Sequence, residues 1–236
     1  MILALLQSMR PRQWAKNSFV LAPLVFGQKL GDPAALRAAV IALAAFCLAS
    51  SAVYLLNDIK DREEDRRHPL KRLRPLAAGT LGVPTAVVAT LALAAAALAL
   101  GVVSLSATFT LILASYMGLN VLYTTWLKHV VILDVMPISF GFVLRVLGGA
   151  EATQVKVSSW LLLCTIFLSL FLAFSKRRHE ITLLAGGATS QRPVLDHYSE
   201  AFLDQMINVV TASSVVSYAL YAVSPETAEK YHTRHL

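Results

Sequence analysis

"YLLNDIKDREEDRRHPLKRLRP", residues 54–75, begins at the end of an uncharged apolar run, Ala38 to Leu56. It passes through three aspartates, Asp58, Asp61 and Asp65, and turns strongly basic. Helical positions i, i+3 and i+7 lie on one face, so this spacing predicts three carboxylates converging at a helix end. They would repel one another unless a cation sat between them, and Mg2+ favours a few carboxylates together with phosphate oxygens and water. The plainer alternative is a solvated helix end, with Asp61, Glu64 and Asp65 paired to Arg62, Arg66 and Lys60. Asn57 and Asp58 directly adjoin a run of membrane length, where ionisable groups are costly and are functional candidates. The metal–phosphate reading is therefore preferred. Arg66, Arg67, His68, Lys71, Arg72 and Arg74 follow, and their cationic groups would take the remaining phosphate oxygens. For any one of them the competing role is simple anchoring at the membrane face.

The 236 residues are 56% hydrophobic with a mean hydropathy of +0.61, which is unusual for a soluble domain. Apolar stretches of about 18 residues or more read as membrane spans. Residues 38–57, two spans within 75–127, and residues 129–150, 157–175 and 205–225 meet that description. A shorter run, 17–28, reaches membrane length only with flanking residues such as Trp14, giving seven spans in all. No signal-peptide cleavage pattern follows the first apolar run. Cys47 and Cys164 both fall in spans and read as buried thiols rather than a disulfide or metal set.

Cytoplasmic loops collect Lys and Arg. With the N-terminus inside, fifteen of the 21 basic residues face the cytoplasm, five face outward, and Arg145 lies within a span. That balance accounts for the net charge of +7 without nucleic acid. It also places the acidic motif, the Lys128 loop and the 176–203 loop on one face. No linker divides the chain, so residues 1–236 are expected to form a single membrane domain with cytoplasmic loops at 58–80, 127–131 and 176–203.

The stretch "NDIKDREED" resembles the N-D-x-x-D-x-x-x-D signature of the UbiA-type intramembrane prenyltransferase superfamily. The chain is closest in pattern to its decaprenyl-phosphate phosphoribosyltransferase branch. The supporting segments, in the expected order, are "RPRQWAKN" (10–17), residues 54–79, "YTTWLKHVVILDVMPISFGFVLRVLGG" (123–149) and "FSKRRHE" (174–180). The second acidic motif of the aromatic prenyltransferases is replaced here by "HVVILDVMPIS", with the single aspartate Asp134 and the nearby Lys128. Fewer carboxylates and more cations suit a substrate richer in phosphate.

The resemblance implies an all-α, multi-pass membrane helix bundle. The family has about nine spans, so the last two family helices are expected to be absent from this chain. It further implies Mg2+ on Asp58, Asp61 and Asp65, and transfer of a 5-phosphoribosyl group from phosphoribosyl diphosphate to a polyprenyl phosphate in the inner membrane. It tilts Lys16, Asn17, Asn57, Arg66, Lys71, Arg74, Tyr123, Lys128, Asp134, Lys176 and Arg177 toward substrate binding. For Lys16 the alternative is snorkelling, and for Tyr123 an interfacial anchor. Expected partners are phosphoribosyl diphosphate, the polyprenyl phosphate lipid and the membrane bilayer, with no nucleic acid and a homo-oligomer left open. The rival readings are a prenyltransferase using a prenyl diphosphate donor, and a non-catalytic transporter or lipid-binding protein. Charges gathered at one interface disfavour a transporter, whose sites lie at the bilayer midplane.

Two further expectations concern packing. Asp134 and Arg145 are 11 residues apart, nearly three turns, and would share a helix face with Gly141 and Gly148. Arg145 would then lie about 16 Å deeper than Asp134, bonding carbonyls within the bundle. Asp204, Asn208, Thr211 and Tyr218 make a polar stripe expected to face the bundle.

Overall fold

The structure, a computed structural model, describes residues 1–185, 195 and 197–224. Residues 186–194 and 196 of the expected 176–203 loop, with its Arg192, lie outside the described residues. Those described form helices and turns without a strand. The order is α1 (Ile2–Met9), a 3-10 helix (Pro11–Leu21), α2 (Ala22–Phe26), α3 (Pro33–Lys60), α4 (Arg62–Arg67), a short 3-10 turn (Lys71–Leu73), α5 (Val83–Ser104), α6 (Ala107–Thr125), a second 3-10 turn (Leu127–His129), α7 (Met136–Thr153), α8 (Ser159–Ala185) and α9 (Glu200–Val223).

Five of these are long and apolar enough to cross a membrane: Pro33–Lys60, Val83–Ser104, Ala107–Thr125, Ser159–Thr182 and Glu200–Val223. Two of the seven expected spans are built differently. The first is a 3-10 stretch followed by the five-residue α2. Pro23 has no N–H to continue the ladder, and side-chain bonds tie the 3-10 stretch to α3, Trp14 Nε1 to Ser51 Oγ at 3.0 Å and Asn17 Nδ2 to Ser50 Oγ at 3.1 Å. The other, α7, is long enough but carries Arg145 and Glu151 and is not among the five. At its start, Pro137 occupies the first turn, where a missing N–H costs nothing. Asp134 therefore precedes the helix, and the expected face shared with Arg145 does not exist.

The chain forms two compact units, residues 1–121 with 144–156, and residues 122–143 with 157–236. In the first unit α3 packs on α5 and on the 3-10 stretch. Alanines make this possible: Ala42, Ala45 and Ala49 of α3 are fully buried and let neighbouring backbones approach Val20, Phe46 and Phe109. Asp32 caps α3, accepting from the N–H groups of Ala34 and Ala35. Those two bonds hold the Asp32 carboxyl below its ordinary range.

The "LGG" of α7 meets this core at its tightest point. A Cβ on Gly149 would lie 1.9 Å from the Val20 carbonyl oxygen, whereas one on Gly148 would meet the Phe46 ring, 2.6 Å away at the nearest atom. Backbone yields less readily than a ring edge. Gly149→Ala is expected to destabilise the protein by about 3 kcal/mol, the upper part of the range for overpacking, and Gly148→Ala by less. Thermal melting in detergent measures both; equal, small losses would show that the 3-10 stretch moves aside.

In the second unit α8 packs on α9 around Ala173, Phe174, Leu203 and Val210. Two expectations change here. The helix that carries Lys176, Arg177 and Arg178 continues to Ala185 rather than ending at 175. On α9 the inward positions are Leu203, Val210 and Ser217, seven residues apart. The polar stripe Asp204, Asn208, Thr211 and Tyr218 is exposed, because it falls between those inward positions on the turn; Asp204 at its start still meets α8, accepting from Arg178 Nε at 2.8 Å.

Candidate functional site

The first unit gathers the opening motif. α3 ends at Lys60, where the Asp61 N–H still reaches the Asn57 carbonyl at 2.8 Å. Asp61 itself leaves helical geometry at φ −88° and ψ 8°, in the sparsely populated bridge region where many active-site residues sit. α4 then starts afresh. The break leaves Asp58 at the end of one helix and Asp65 in the next, both buried. One nitrogen, Arg74 Nη1, donates to Asp65 Oδ2 at 2.7 Å and to Asp58 Oδ1 at 3.3 Å. Arg10 Nη2 also donates to Asp58 Oδ1. Asp61 stays half-exposed at the helix junction, and among the described residues no three carboxylate, histidine or cysteine side chains form one group. Two of the three expected metal carboxylates are thus brought together.

These residues fit a divalent ion. Two carboxylate oxygens aim at a single cationic nitrogen, and hard oxygen donors are what Mg2+ selects.

The remaining basic residues divide. Arg62 and Arg66 fasten α4 to the segment that follows the motif, donating to the carbonyls of Leu76 (3.4 Å) and Ala77 (3.2 Å). Arg66 also pairs with Glu63 at 3.0 Å. His68 Nδ1 accepts from the N–H groups of Leu70 and Lys71, shaping the turn that carries Lys71, which is half-buried. Of the expected phosphate binders in this run, Arg74 reaches the buried carboxylates.

Deeper in the same unit, Arg145 Nε donates to Asn17 Oδ1 at 2.8 Å and Nη2 to the Tyr116 hydroxyl at 2.9 Å. The guanidinium lies 4.6 Å from the Tyr116 ring centre. The side chains of Asn17 and Tyr116 thus hold Arg145, and Asn17, fully buried, orients it. Lys16 keeps an exposed surface, yet crowding around its amine, and then the charges of Arg145 and Arg10, lower its pKa. An anion arriving there would relieve that repulsion.

The second unit holds the other candidates. Asp134 is 0% exposed and Arg177 1%. Arg177 Nε donates to Asp134 Oδ2 at 2.6 Å, and its Nη1 to Glu180 Oε2 at 2.7 Å. The Tyr198 hydroxyl donates to Asp134 Oδ1 at 2.6 Å and accepts the Ile132 N–H at 2.7 Å. That bond steadies a strained residue, since Ile132 has φ 69°, rare for a β-branched side chain. Burial pushes the Tyr198 phenol above its ordinary range, and the bond to Asp134 adds to the shift. Lys176 is exposed and lies 4.0 Å from Glu180; Tyr123 and Lys128 are half-buried.

Three residues of these networks went unmarked in the sequence. Arg10 stood in the "RPRQWAKN" stretch with nothing to single it out. Tyr116 and Tyr198 have only their polar tips as a signal, and which carboxylate or guanidinium a tyrosine meets is decided by folding.

Comparison with known proteins gives these clusters a context. The chain is 37% identical over 99% of its length to the decaprenyl-phosphate phosphoribosyltransferase of Mycolicibacterium smegmatis, covering 74% of that protein. It is 36% identical over 92% of its length to the Corynebacterium glutamicum protein of the same name, covering 66% of it. The chain thus spans about two thirds to three quarters of these relatives. The structure of a UbiA homolog from Archaeoglobus fulgidus bound to DMAPP and Mg2+ superposes with a TM-score of 0.77 at 20% identity, over 96% of this chain and 81% of that one, a likeness of fold. The model of the UbiA prenyltransferase family matches residues 19–224, from the 3-10 stretch through the acidic motif to the end of α9, and with it the chain belongs to that family.

Proposed function

We propose that this protein transfers a 5-phosphoribosyl group from phosphoribosyl diphosphate to a polyprenyl phosphate and releases diphosphate. The observation that carries the chemistry is the buried pair Asp58 and Asp65 converging on one cation, with Arg10 beside it. The choice of substrates is supported by the relatives named decaprenyl-phosphate phosphoribosyltransferase and by the single Asp134 where a second acidic motif would stand.

In this reaction the bond from ribose C1 to the diphosphate oxygen breaks, with its electron pair leaving on diphosphate. A phosphate oxygen of the lipid forms the new bond to C1. That oxygen is already ionised at neutral pH, so no strong general base is required. Asp58 and Asp65, with Asp61 at the junction, would hold Mg2+, which supplies charge neutralisation for the leaving diphosphate. Arg74, Lys71 and Lys16 of the first unit are the cations proposed for the other phosphate oxygens; for Lys128, Lys176 and Tyr123 of the second unit a substrate-binding role is proposed on the family resemblance alone. Arg177 and Asp134 act as one rigid pair in this reading. The rate enhancement is then chiefly positioning and electrostatic stabilisation.

The acidic site is proposed to face the cytoplasm in the inner membrane, on the strength of the basic-residue distribution. Sealed membrane vesicles test substrate and orientation together. With labelled phosphoribosyl diphosphate, which does not cross a bilayer, Mg2+ and polyprenyl phosphate, inside-out vesicles should form a labelled lipid and right-side-out vesicles should not. Labelling by the wrong vesicles overturns the orientation. Lipid product from a prenyl diphosphate, with none from phosphoribosyl diphosphate, overturns the substrate assignment.

A further inference from the structure

We propose that Arg10 is a diphosphate-binding residue held in store by the acidic motif, released from Asp58 when the metal takes that carboxylate. The inference rests on reading the motif as a metal–diphosphate site, and not on what the diphosphate is attached to.

Charge is the first argument. Asp58 and Asp65 carry two negative charges, and Arg10 and Arg74 two positive ones, so the cluster is balanced without any ligand. With a divalent cation on the same carboxylates, both guanidiniums become surplus positive charge. A diphosphate supplies the compensating anion. The two arginines freed by the one ligand are the donors the other needs.

Placement is the second argument. The carboxylate side chains of Asp58 and Asp65 are 2% and 4% exposed, whereas those of Arg10 and Arg74 are 27% and 29% exposed. An anion from solvent therefore meets the guanidiniums before the carboxylates. The Arg10 guanidinium lies 5.1 Å from the centre of the Tyr54 ring, a flat face along which it can turn without losing its cation–π contact.

The backbone supplies the third argument. Arg10 ends α1 with φ 54° and ψ 61°, a left-handed conformation that usually falls to glycine or asparagine. Its N–H caps the Gln7 carbonyl at 3.1 Å, and Pro11 follows. A long cationic side chain at such a position, aimed at the acidic motif, is the kind of strained feature that concentrates at functional sites.

The test uses the full chain in detergent, with Mn2+ titrated by electron paramagnetic resonance and inorganic diphosphate titrated by calorimetry in the presence of Mg2+. Arg10→Gln should bind Mn2+ about tenfold more tightly without diphosphate, because its competitor for Asp58 is gone. It should bind diphosphate about tenfold to a hundredfold more weakly, the loss of one charge-assisted hydrogen bond. Arg10→Lys keeps the charge and loses the fork, and should shift both affinities the same way by less; it carries the test if Arg10→Gln does not fold. The neighbouring exposed Arg12→Gln should change neither. Unchanged or weaker Mn2+ binding, or unchanged diphosphate binding, in the Arg10 variants overturns the proposal and leaves Arg10 a structural counter-ion. Absence of Mn2+ and diphosphate binding in the wild type overturns the metal–diphosphate reading itself.

Discussion

Asp58→Asn is expected to cut turnover by about a thousandfold while the protein stays folded. The amide keeps the shape of the carboxylate and removes its charge. Asp58 is 2% exposed and accepts from both Arg10 and Arg74. Removing one preorganised electrostatic group from a water-poor site costs about a hundredfold to a thousandfold, and Asp58 also holds the position of two cations. Asp65→Asn should follow it closely, because the same Arg74 nitrogen binds both carboxylates. Asp61→Asn decides whether the half-exposed third carboxylate joins the pair when ligands bind: a loss of equal size means that it does. The measurement is labelled-lipid formation at saturating substrate, with melting in detergent to show that each variant is folded. Near-normal, Mg2+-dependent turnover in Asp58→Asn would leave the buried pair a structural ion-pair cluster and no more.

The buried pair in the second unit should show its largest effect in stability. Asp134→Ala strands Arg177, which is 1% exposed, in a protein interior. Breaking a buried ion pair by removing one partner typically costs about 3–5 kcal/mol. Glu180 remains on Arg177 at 2.7 Å, so the lower figure is expected, a fall in melting temperature of roughly 10 °C for a domain of this size. The double variant Asp134→Leu/Arg177→Leu should recover most of that stability, since no charge is left without its partner. An unchanged melting temperature in Asp134→Ala would mean that Arg177 finds another acceptor. A double variant that regains stability but makes no labelled lipid would show that the pair serves the chemistry as well as the fold.

Part of this was written in composition and spacing. The apolar runs of α3, α5, α6, α8 and α9 announce themselves because a helix in lipid must be apolar over its whole length, a signal that needs no knowledge of neighbours. The acidic motif is legible for a similar reason: aspartates beside a membrane span are too costly to be incidental. Gly148 also reads correctly as a point of close packing. α7 is the contrast. Its apolar residues suggested a span beginning at 129, whereas Pro137 starts the helix later and leaves Asp134 outside it.

The sequence by itself therefore determined the class of fold, the location of the charged site at a helix end, and the family. Which charge meets which was decided only by tertiary structure. Periodicity places Asp58, Asp61 and Asp65 on one face, but the break at Asp61 leaves two of them on a common arginine. Arg10 and Asp58 are 48 positions apart, and Arg145 and Asn17 are 128 apart. An ion pair or hydrogen bond is won over a few ångströms, and local sequence carries no record of a partner brought within that distance by the packing of other helices. The polar stripe on α9 is exposed, with Asp204 reaching Arg178 of α8, for the same reason: period alone says that four residues share a face, and only the burial of Leu203, Val210 and Ser217 says which way that face points.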